Sequence, residues 1–144
     1  MIAIVCSEFN SKVTNGLLKG CLVALNEDGV SSKKIDIHKV PGVFELPGKV
    51  KLLTKGDSSY DVIITLGCVL KGETDHYHYI SQAVTDGIMS LTVELDSDYP
   101  KIIFGVLTCQ TKALAIARSD SNMDKNKGYE AGKAAIKMIS TKKG

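Results

Sequence analysis

The run DVIITLGCVL, residues 61–70, is apolar almost throughout, and it excludes more folds than any other feature of the chain. A strand with one face in water alternates apolar and polar side chains. A run without alternation fits a strand covered on both faces, as in a parallel sheet sandwiched between helices. The segments around it agree. IAIVC (2–6) reads as a first strand, and Val13, Leu17, Cys21 and Leu25 then mark one face of a helix ending near Gly29. KIDIHKV alternates as a second strand. From Phe44 to about Lys55, Leu46, Val50 and Leu53 recur at helical spacing, with Pro47 tolerated in the first turn and Gly56 as a stop. From His76 onward Ile80, Val84, Ile88, Leu91 and Leu95 line a long amphipathic helix, KIIFGVL is a fourth strand, and two more helices follow, around 111–119 and from about Gly128 to Ile139. Only GDSSYD (56–61) and SDSNMDKNKG (119–128) read as extended loops. Strand and helix in alternation imply right-handed crossovers, so the expected fold class is α/β: a single three-layer α/β/α sandwich with a mainly parallel four-stranded sheet.

Composition sets the outer limits. The 144 residues fit one domain, 1–144, able to bury about two-thirds of its unfolded surface without metals or disulfides. A net charge of +2 gives no reason to expect nucleic acid. Cys6, Cys21, Cys68 and Cys109 lie far apart without C-x-x-C spacing, which reads as buried free thiols in a reducing compartment. No signal-peptide core or membrane-length apolar run is present, so a cytoplasmic location is expected.

Ligands of open parallel sheets bind beyond the carboxyl ends of the strands. That rule selects residues 7–11, 40–47, 71–76 and 107–111. In GCVLKGETDHYHYI (67–80), the amides of Gly72, Glu73 and Thr74 would precede a helix and suit a phosphate. Thr74 or Asp75 could equally cap that helix, and the carboxylates of Glu73 and Asp75 would repel an anion unless turned to solvent. His76, in the first turn, can exchange protons near neutral pH. His78 points elsewhere on the helix, a His-x-His metal pair would need a strand and a third ligand, and His38 reads as structural, so no metal site is expected. In VPGVFELP (40–47), unpaired backbone could read a planar heterocycle, with Glu45 accepting from hydroxyls. Phe9 in SEFN could offer a stacking face, although singly each aromatic, Phe104 above all, reads as packing. Of 18 basic residues only Arg118 is an arginine, placed either for a planar fork on a phosphate or on a helix surface by chance.

Taken together, SEFN, VPGVFELP, GCVLKGETDHYHYI, IIFGVLT and NKG resemble the lumazine synthase family, in family order over almost the whole chain. The resemblance implies a flavodoxin-like topology and a cofactor-free condensation of 5-amino-6-(D-ribitylamino)uracil with 3,4-dihydroxy-2-butanone 4-phosphate, giving 6,7-dimethyl-8-ribityllumazine, phosphate and water. It implies His76 as general acid and base, and Phe9 stacked on the pyrimidine. Val43, Phe44, Glu45, Leu46, Cys68, Val69 and Leu70 would contact ring and ribityl chain, and Gly72, Glu73 and Thr74 would hold the phosphate. It further implies a homopentamer with the site between subunits, so that Phe104, Arg118 and Lys127 come from the neighbour, Arg118 clamping the phosphate.

Three departures from relatives are visible. The sequence opens at MIAIVC, where most relatives carry a segment that adds a strand to an adjacent sheet, either trimmed or absent here. The connection from Arg118 to NKG is slightly long compared with relatives that build sixty-subunit shells, which implies an isolated pentamer. Lys71 stands where many relatives have arginine, keeping the charge and losing the fork. Two other readings share the topology: an archaeal-type riboflavin synthase, against which KGETDHYHY argues, and a flavin-binding or receiver module, for which only Glu8 offers a matching strand-end carboxylate.

Overall fold

A computed structural model describes residues 1–55, 60–96 and 98–143, with side chains of the last helix described as far as Ser140. Four strands form one parallel sheet in the order β2-β1-β3-β4, where β1 is Ile2–Ser7, β2 Ile35–Val40, β3 Val62–Leu70 and β4 Lys101–Cys109. This is the flavodoxin-like order expected. The long apolar run becomes β3, paired on both edges and buried at every position from Val62 to Val69.

Alternation along the strands divides the core in two. Ile2, Ile4 and Cys6 of β1 and Val62, Ile64 and Leu66 of β3 pack on the side of α1 (Ser11–Glu27) and the carboxyl-terminal helix. Ala3, Val5 and Ile63 turn to α2 (Leu46–Thr54) and α3 (His76–Glu94). The expected faces hold: Val13, Leu17, Cys21 and Leu25 are all buried on α1, and Val84 and Ile88 on α3. Gly29, at φ 81, takes the left-handed turn just past α1 that glycine permits without a Cβ clash.

Boundaries differ where local chemistry overrides periodicity. The helix expected from Phe44 begins as a 3-10 turn, Val43–Glu45, and becomes α-helical only at Leu46, with Pro47 in the first turn where its missing N–H costs nothing. The fourth helix is shorter than expected, α4 spanning Lys112–Ala117, and the fifth, α5 at Lys127–Lys143, starts one residue early and runs longer. Gly56 and most of the expected 56–61 loop lie outside the described residues. His38 is structural as expected: its Nε2 lies 3.3 Å from the Tyr60 hydroxyl, which donates to Asp36 at 2.6 Å.

The NKG motif has a packing rationale. Asn126 is buried, its Nδ2 donating to the carbonyls of Gly16 and Asp120 and its Oδ1 accepting the Tyr129 amide, which caps α5. Gly128 then presses against the Leu17 carbonyl of α1, where a Cβ would collide with backbone. Gly128→Ala is therefore expected to lower unfolding stability by about 1–3 kcal/mol. Urea unfolding would show this as a reduced midpoint at unchanged slope; an unchanged midpoint would contradict the packing.

Candidate active site

A cavity of about 470 Å³ opens at the carboxyl ends of β1 and β3. Phe9 and Asn10 form one wall, from the turn between β1 and α1, and the 3-10 turn supplies Gly42, Val43, Phe44 and Glu45. The end of β3 contributes Cys68, Val69 and Leu70, and α3 contributes His76 and Ile80. The surface is mainly apolar with a few polar groups, the usual character of a small-molecule site. Phe9 and Phe44 are 73% and 63% exposed, an unusual placement for phenylalanine unless a ligand or partner covers them.

The 3-10 turn explains which side chains reach this space. Side chains three apart in such a turn share a side, so Val43 and Leu46 turn inward together while Phe44 and Glu45 stay exposed. Leu46, expected at the ligand, is fully buried in the core and its amide donates to the Val43 carbonyl, so it does not line the cavity. Asn10, Gly42 and Ile80 line it and were not among the expected site residues. Asn10 had a readable signal, an asparagine directly before a helical period; Ile80 was hidden by its place in that period.

Beside the cavity, residues 72–75 approach α3. The amides of Gly72, Glu73, Thr74 and Asp75 have no acceptor among the described residues, and they precede the positive end of a 19-residue helix. Asp75 occupies the N-cap position without a side-chain capping bond, and the Thr74 hydroxyl accepts the His76 amide at 3.3 Å. Glu73, Asp75 and His76 are all exposed, so the two carboxylates do not close this end against an anion. Lys71 is tied by its amide to the Cys109 carbonyl at 3.0 Å, its side chain exposed.

The remaining expected residues lie elsewhere on the chain. Arg118 and Lys127 share a second cavity of about 340 Å³ at the end of β4, together with Lys125 and Glu130. Arg118 donates to the Leu114 carbonyl at 3.3 Å, and Lys127 pairs with Glu130 at 3.3 Å. Phe104 is half-buried against the core beside α2 and α3 and lines neither cavity. Among the described residues no group of three or more His, Cys, Asp and Glu is arranged to hold a metal. No described helix is long and apolar enough to cross a membrane.

These features define an enzyme-like α/β protein of flavodoxin-like order whose ligand cavity lies beyond the strand ends. The model of the 6,7-dimethyl-8-ribityllumazine synthase family matches residues 1–143, and the chain belongs to that family. It is a transferase with lumazine synthase activity in riboflavin biosynthesis.

Cys68 sits in the cavity wall, where burial above all, and then the neighbouring Cys109, push its thiol up to about 12. A thiol stays protonated below its pKa, so Cys68 offers an inert surface rather than a nucleophile. Iodoacetamide at pH 8 is expected to leave Cys68 unmodified in the native protein and to alkylate it after unfolding, as read by peptide mapping. Equal rates in both states would contradict its burial.

Proposed function

We propose that the reaction is the condensation of 5-amino-6-(D-ribitylamino)uracil with 3,4-dihydroxy-2-butanone 4-phosphate to 6,7-dimethyl-8-ribityllumazine, with release of phosphate and water. The observation that carries this reading is His76 at the mouth of an apolar cavity, directly after the amides of Gly72, Glu73 and Thr74, which have no acceptor among the described residues. An apolar slot faced by Phe9 suits a pyrimidine ring, Glu45 suits ribityl hydroxyls, and a row of amides at a helix start suits a phosphate. The main chain of Val43 to Glu45 and of Cys68 to Leu70 completes the ring and ribityl contacts.

Imine formation, loss of phosphate and ring closure each need a proton moved at nitrogen or oxygen, a transfer assigned in this reading to His76, which lines the cavity. Arg118 and Lys127 lie on a different cavity of the same protomer, which supports their service to a neighbour's site. There Arg118 would clamp the phosphate opposite the amides with two parallel bonds that lysine cannot make, and Lys127 and Phe104 would close the ring end. Tyr79, Met89 and Val93 on α3 are exposed, in keeping with an assembly that buries them, for which we propose a homopentamer of cytoplasmic, one-domain subunits acting without a cofactor.

His76→Ala is expected to lower kcat by about 10²–10⁴-fold while pyrimidine affinity changes by less than about threefold. Steady-state lumazine formation, with the pyrimidine titrated separately, reads both quantities. Unchanged turnover would remove the acid and base role from His76.

A further inference from the structure

The turn between β1 and α1 is held to both neighbouring strands. On one side the amides of Glu8 and Phe9 donate to the carbonyls of Val40 and Pro41 at 2.8 and 3.0 Å, prolonging the contact of β1 with β2. On the other side the ladder between β1 and β3 stops at Cys6 and Leu66, and a side chain takes over. Asn10 Nδ2 donates to the Cys68 carbonyl at 3.2 Å.

Asn10 also has the one left-handed non-glycine backbone among the described residues, φ 63 and ψ 51. Asparagine, aspartate and glycine tolerate that region; most other residues do not. In this conformation Phe9 and Asn10 both line the cavity while α1 departs behind them. Peptide groups alternate in direction along a strand. The Cys68 carbonyl points at Asn10 and the Lys71 amide at Cys109, so the peptide groups of Leu70 turn to the cavity side. The carboxamide of Asn10 thus ties the aromatic wall at Phe9 to the strand end that presents Leu70.

We propose that Asn10 is a positioning residue for the pyrimidine: its bond to the Cys68 carbonyl sets the spacing between the Phe9 face and the end of β3, forming the slot before the ring enters. The inference rests on the reaction proposed above. A preformed slot spares the ligand the cost of ordering it, so losing the bridge weakens ring binding and leaves the proton-transfer groups in place.

The test uses the full chain in two variants that both accept the left-handed conformation. Asn10→Gly removes the bridge. Asn10→Asp keeps an acceptor oxygen and removes the donor. Both are expected to raise the pyrimidine Kd about tenfold, with kcat at saturation and the KM for the butanone phosphate within about twofold of the parent. Parent-like pyrimidine affinity in Asn10→Gly would overturn the proposal. So would parent-like affinity in Asn10→Asp alone, because it would make Asn10 an acceptor contacting the ring directly. Failure of the parent to form lumazine from the two substrates would remove the proposed reaction and this inference together, whereas an active parent with unaffected variants removes the inference alone.

Discussion

Burial of β3 on both faces is the constraint from which the rest of the structure follows. A strand with no wet side needs partners on both edges and helices above and below, which forces parallel strands joined by crossovers. Parallel strands deliver all their carboxyl ends to one edge of the sheet. Phe9, Glu45, Cys68 and His76, widely separated in sequence, therefore meet at one cavity. β3 also outruns β1 there, and its last residues leave the ladder with β1 to become cavity wall.

Much of this was legible in the sequence because burial leaves a periodic trace. The unbroken run at Val62–Val69, the helical repeat Val13, Leu17, Cys21, Leu25, and the strand-end rule together specified the sheet, its helices and three of the cavity walls. What escaped lies below the resolution of periodicity. A motif such as VFELP names neighbours alike, but the 3-10 turn sends Leu46 inward and Phe44 and Glu45 outward. The left-handed backbone of Asn10 leaves only the weak hint of its residue type, and its bond to Cys68 spans a separation of 58 residues that no local pattern encodes. Asn126 is similar: a buried polar residue whose two amide N–H groups and carbonyl oxygen all find partners in distant or turn backbone.

Charge is arranged differently from burial. The first cavity offers an imidazole, with the amides of residues 72–75 beside it, but no lysine or arginine among its lining residues, while the second gathers Arg118, Lys125 and Lys127 around the end of β4. In the proposed reaction a phosphate ester held by amides alone would keep much of its charge uncompensated, and a guanidinium from a neighbouring protomer would be the simplest complement. In the proposed assembly neither cavity would be complete in one chain, and the exposed phenylalanines of the first and the cations of the second would form two halves of one site.

Mixed oligomers test this division most directly. His76→Ala and Arg118→Glu chains, each expected inactive alone, would be co-expressed with different tags and purified through both. If the site is shared between neighbours, random assembly places an intact His76 opposite an intact Arg118 in about a quarter of sites, and lumazine formation returns to about a quarter of the parent rate. Mixed oligomers that stay as inactive as either variant would contradict a site shared between protomers.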